Sequence, residues 1–116
     1  MKILVIRFSS FGDVLLTSPV LKKIKQVYPD AKIDFLVYDV FSEAITDNPN
    51  LEKVHIFSKK NSKDFEYINK LIETLKKEKY DCIIDLHSKL LSRYIGKKLK
   101  TKYIRYSKRK WWKSIF

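Results

Sequence analysis

At 116 residues the chain is long enough for one domain with its own core and too short for two. Its 45% hydrophobic content with 14% aromatics excludes a disordered chain, and no apolar run approaches the roughly 20 residues of a membrane span. The net charge of +12 is regional: residues 1–85 hold 14 Lys/Arg and 13 Asp/Glu, whereas residues 86–116 hold 11 Lys/Arg and no acid. That basic third suits a phosphorylated glycolipid, a membrane face or nucleic acid, or else is a solvated lysine-rich surface. The single cysteine, Cys82, lies in an apolar stretch and reads as a buried, inert thiol in a reducing compartment. With no signal-peptide pattern at the start, a cytoplasmic location is the default expectation.

The first strand is expected over residues 2–8, where Ile3, Leu4, Val5 and Ile6 suit a strand buried on both faces. Residues 9–13 form a turn, sharpest at Gly12 and extending into a loose helical turn through Leu16. Ser18-Pro19 reads as N-cap and N1 of a helix that Tyr28-Pro29 ends. A second strand follows over 31–38, with Ile33, Phe35 and Val37 on one face. Then come a short helix over 40–46, a turn at Asn48-Pro49-Asn50 and a third strand over 54–57. Lys59 to Lys63 read as a polar loop. Phe65, Ile68, Leu71, Ile72 and Leu75 mark an amphipathic helix to about Lys79. A fourth strand over 82–86 leads through His87 and Ser88 into a helix to about Leu99, and a fifth strand spans 102–106. Alternating strands and helices imply right-handed βαβ units: an α/β, Rossmann-like parallel sheet sandwiched by helices. Trp111, Trp112, Ile115 and Phe116 read as the start of an apolar helix cut short.

Candidate chemistry gathers where strands end, because ligands of open α/β sheets bind at the C-terminal strand edge. Asp13 follows the first strand and reads either as a functional carboxylate or as a helix N-cap or first-turn charge. Asp85 reads as an orienting group or a cap. His87 reads as a satisfied structural histidine or a binding one, and His55 as a partly exposed bystander. Gly12 and Gly96 are the only glycines, which argues against a dinucleotide or P-loop phosphate cradle. No Cys/His cluster has zinc spacing.

The stretch ILVIRFSSFGDVLLTSPVLKKIKQVYPDAKIDFLV resembles the opening of the family 9 glycosyltransferases, the lipopolysaccharide heptosyltransferases and their relatives. Arg7, Ser9, Ser10, Gly12, Asp13, Val14, Thr17, Pro19, Pro29, Ala31 and Ile33 fall in step with that pattern. DNPNLEKVHIF and YDCIIDLHSKLLSR resemble later parts of it. The resemblance implies the N-terminal, acceptor-side domain of a GT-B type enzyme, incomplete over residues 1–116. The C-terminal nucleotide-sugar-binding domain is expected to be absent and the isolated chain inactive. The implied reaction passes a sugar, heptose from an ADP-heptose-type donor, to a lipopolysaccharide core acceptor. It is an inverting direct displacement without metal or other cofactor, next to the inner membrane face. Asp13 is then the catalytic base, and Ser9, Ser10, Gly12, His87 and Arg93 are acceptor-binding residues. Where many members carry an arginine this chain has Leu91, and Arg93 is the nearest substitute for the acceptor-phosphate contact. The alternative is a nucleic-acid-binding domain without activity, in which Tyr103, Tyr106, Trp111 and Trp112 stack bases between lysines.

Overall fold

A computed structural model describes residues 1–107, 109, 110 and 113. Five strands, β1 (Lys2–Ile6), β2 (Lys32–Tyr38), β3 (Lys53–Phe57), β4 (Cys82–Asp85) and β5 (Lys102–Arg105), form one sheet in the order β3-β2-β1-β4-β5. Every neighbouring pair is parallel. Four α-helices connect them: α1 (Phe11–Leu15), α2 (Ser18–Val27), α3 (Phe65–Lys77) and α4 (Leu90–Lys98). The expected α/β architecture is therefore present.

Strand order and the handedness of the crossovers decide which helix covers which face. From β1 the chain steps outward to β2 and β3, then returns to β4 on the other side of β1 and steps out to β5. Right-handed connections running in opposite directions put their helices on opposite faces. Ile3, Val5, Ile33, Phe35 and Val37 accordingly pack with Val14 of α1 and Leu21 of α2. Leu4, Ile6, Leu36 and Ile83 pack on the other side with Ile68, Ile72 and Leu75 of α3 and Ile95 of α4. Adjacent β1 residues thus feed two cores, which is why the strand shows no polar alternation.

Local signals set the boundaries. Asp64 caps α3, its carboxylate accepting the N–H groups of Glu66 and Tyr67. Thr17, not Ser18, stands at the N-cap of α2, which moves Pro19 into the first turn. The Thr17 hydroxyl is spent on the Val14 carbonyl at 2.6 Å. Asp39–Ala44 and Lys59–Asn61 are 3₁₀ turns where a short helix and a loop were expected. Trp111, Trp112, Ile115 and Phe116 lie outside the described residues.

Candidate functional site

Strand order reverses at β1, and in open parallel sheets the C-terminal edge at such a switch point is where a binding crevice forms. Ile6 stands level with Leu36 of β2 and Asp85 of β4. Beyond it, Arg7 donates its backbone N–H to the Leu36 carbonyl and Phe8 accepts from Tyr38 N–H, so this chain leans toward β2. The Ile6 carbonyl is left to accept from both Leu86 and His87 N–H on the β4 side. Phe8, wholly buried, stacks on Tyr38 and packs against Phe57 and the His87 ring, each with ring centres 5.0–5.3 Å away.

Asp13 lies in the first turn of α1, whose N-cap position is taken by Ser10. Of the two local readings, the first-turn charge therefore holds and the N-cap does not. Its Oδ2 accepts from Arg7 Nη2 at 2.9 Å and from the Ser10 hydroxyl at 3.3 Å. The Asp13 side chain keeps 18% of its surface exposed while that of Arg7 keeps 9%. The second arm of Arg7, Nη1, donates to the Leu86 carbonyl at 3.1 Å. The expected sharp turn at Gly12 is corrected as well. Gly12 has no positive φ, and a Cβ there would meet no atom within 4 Å. Residues 7–10 carry the chain from β1 to α1, and the Ser9–Ser10 peptide bond is cis. Ser9 is half-buried and Ser10 exposed at the mouth of the crevice.

The β4 side of the crevice is organised by Asp85. Fully buried, it receives His87 and Ser88 N–H on Oδ1 and the Tyr103 hydroxyl on Oδ2 at 2.5 Å. Two backbone donors hold Ser88 in a left-handed conformation, φ 57°, that a serine adopts at a cost. Asp85 therefore shapes the turn that carries His87. Gly96 is essential to this arrangement, because a Cβ on it would collide with the Tyr103 ring. His87 leans against Phe8, its Nδ1 buried without a partner. Burial, and then the Arg7 charge, push its pKa down to about 4, so the ring is neutral at neutral pH. Arg93 is half-buried on α4, and its charge, after that of Arg105, opposes the upward shift that burial and Asp85 cause at Tyr103. The structure thus brings Arg7, Ser10 and Asp13 into hydrogen-bond contact, with His87 close enough to feel the charges of Arg7 and Asp13.

His55 is no bystander. Its Nε2 lies 2.8 Å from the Tyr80 hydroxyl, which donates to the buried Asp34 at 2.6 Å. Asp34 also accepts Lys53 N–H. The available signal was an aspartate inside a strand buried on both faces. Cys82 is buried as expected, and desolvation pushes its thiol pKa up. Among the described residues, no three His, Cys, Asp or Glu side chains group to hold a metal ion, and no helix is long and apolar enough to cross a membrane.

No family model matches the chain. Over 78 residues it is 41% identical to lipopolysaccharide heptosyltransferase 3 of Escherichia coli strain K12, covering 65% of this chain and 23% of that protein. Over 97 residues it is 28% identical to lipopolysaccharide heptosyltransferase 1 of Campylobacter coli, covering 84% of this chain and 28% of that one. The chain is a homologue of the lipopolysaccharide heptosyltransferases. Its fold agrees with theirs. It superposes on the crystal structure of a family 9 glycosyltransferase from Veillonella parvula with a TM-score of 0.85 at 22% identity, covering 91% of this chain and 32% of that one. On the E. coli heptosyltransferase WaaC, solved with ADP, the TM-score is 0.74 at 25% identity, covering 92% and 34%. The chain thus spans about a quarter to a third of the length of these relatives.

Proposed function

We propose that the chain forms the acceptor side of a GT-B type glycosyltransferase that passes heptose from an ADP-heptose-type donor to a lipopolysaccharide core acceptor. The observation that carries this reading is the Asp13 carboxylate, partly open to solvent at the switch point of the sheet in a chain homologous to heptosyltransferases. The acceptor hydroxyl gives its proton to Asp13 as its oxygen attacks the anomeric carbon. The nucleoside diphosphate leaves with the bonding pair, in an inverting displacement without metal. Ser9, Ser10 and the backbone at Gly12 line the acceptor's approach on one wall, with His87 on the other and Arg93 behind it. The donor is held by the part of the relatives that this chain does not match, so the chain alone turns over no nucleotide sugar. The work takes place in the cytoplasm at the inner membrane face, where the basic residues beyond position 86 meet the acceptor's phosphates. The relatives do not support the nucleic-acid alternative, and Tyr103, one of its aromatics, donates inward to Asp85.

The test is Asp13→Asn in the complete enzyme. Asn keeps the shape and loses the proton acceptor, so turnover falls about 100- to 10,000-fold with donor and acceptor affinity little changed. Near-normal turnover would end the general-base assignment. Acceptor-dependent release of nucleoside diphosphate by this chain alone would refute the placement of donor binding elsewhere.

A further inference from the structure

Arg7 opens the sequence motif, yet the reaction described above assigns it no task. We infer that Arg7 is the positioning residue for Asp13, an inference that rests on Asp13 acting as the base. Only 7% of Arg7 is exposed, so its guanidinium needs partners inside the protein. It has them on two elements: Nη1 on the Leu86 carbonyl beyond β4 and Nη2 on Asp13 Oδ2. Its own backbone N–H is tied to Leu36 on β2. The guanidinium therefore references the carboxylate to three strands at once. Asp13 itself sits on α1, and five residues make a marginal helix, so the bond to a buried guanidinium ties the carboxylate to the sheet. The buried Nε has no partner. The guanidinium is thus oriented by its two terminal bonds, at the expense of a third. Only the rigid, planar fork of arginine reaches both acceptors, since a lysine ammonium is a single point charge. His87, neutral at neutral pH, brings no competing charge to the carboxylate.

The experiment uses this chain at pH 7 in solution NMR. Three-bond couplings report the Asp13 χ1 rotamer in the wild type, Arg7→Met and Arg7→Lys. We expect one rotamer in the wild type, rotamer averaging in Arg7→Met, and partial restoration in Arg7→Lys. A purely structural arginine would lower the melting temperature and leave the Asp13 couplings untouched, and that result overturns the inference. Should Arg7→Met not fold, Asp13→Leu reads the same bond from the other side, because leucine offers Nη2 no acceptor. The Arg7 Nη resonances, separate in the wild type through hindered rotation, should merge in that variant. Unchanged Nη resonances overturn the inference equally. Near-normal turnover of Asp13→Asn in the complete enzyme would remove the base while leaving these couplings in place, so the two failures are told apart.

Discussion

Lowering the pH should weaken the fold through His87. The ring packs on Phe8 with Nδ1 buried and unpartnered, and its pKa is pushed from 6.5 down to about 4. Between those values the unfolded chain binds a proton that the folded chain refuses. Stability therefore rises with pH through this window, is complete above about pH 6.5 and is lost as the pH falls toward 4. The linkage would be worth about 3 kcal/mol for a wholly shielded ring, and is about 1–2 kcal/mol for one partly open to solvent. The assay is urea unfolding of the wild type and His87→Phe at pH 7.5 and 4.5. The wild type should lose about 1–2 kcal/mol more than the variant between the two pH values. Phenylalanine keeps the ring against Phe8 and removes the titrating group. His55 is present in both chains and cancels in the difference. Glu78, held down to about 2 by hydrogen bonds from Lys2 and Lys53, stays ionised across the window. Equal losses in the two proteins would refute the reasoning.

Two substitutions probe the polar anchors by thermal and urea unfolding. Tyr80→Phe removes the donor to Asp34 Oδ2, with His55 Nε2 left 3.6 Å from that oxygen. It should cost about 1–3 kcal/mol as a buried acceptor loses its bond, and a change below about 0.5 kcal/mol, within the range of surface substitutions, would show that the bond is dispensable. Gly96→Ala would gain up to about 1 kcal/mol in an open helix. Here its Cβ runs into the Tyr103 ring that holds Asp85, so a net loss of about 1–3 kcal/mol is expected. A more stable Gly96→Ala protein would refute the close approach of α4 to β5.

Much of this protein is written in local sequence. Apolar runs of four to seven residues, separated by Pro, Asn and Ser clusters and by one strongly amphipathic helix, were enough to place all five strands and the helices between them. The reason is that strand and helix periodicities are short-range properties of burial. The motif around Asp13 was legible for a related reason: strand, turn and helix follow one another within a few residues. What only the tertiary structure decided depends on residues distant in the chain. The placement of β4 beside β1 made the end of β1 a switch point, and it rests on the crossover through α3. Asp85 looked like a cap or an orienting group until Tyr103, eighteen residues on, was seen to take its second oxygen. His55 looked idle because its partners come from β2 and from the loop between α3 and β4. Arg7 and Asp13 are only six residues apart, yet their pairing depends on the Leu86 carbonyl that fixes the other arm of the guanidinium. A one-dimensional pattern records which faces are buried, but a buried polar group is satisfied by whatever the fold brings within about 3 Å of it.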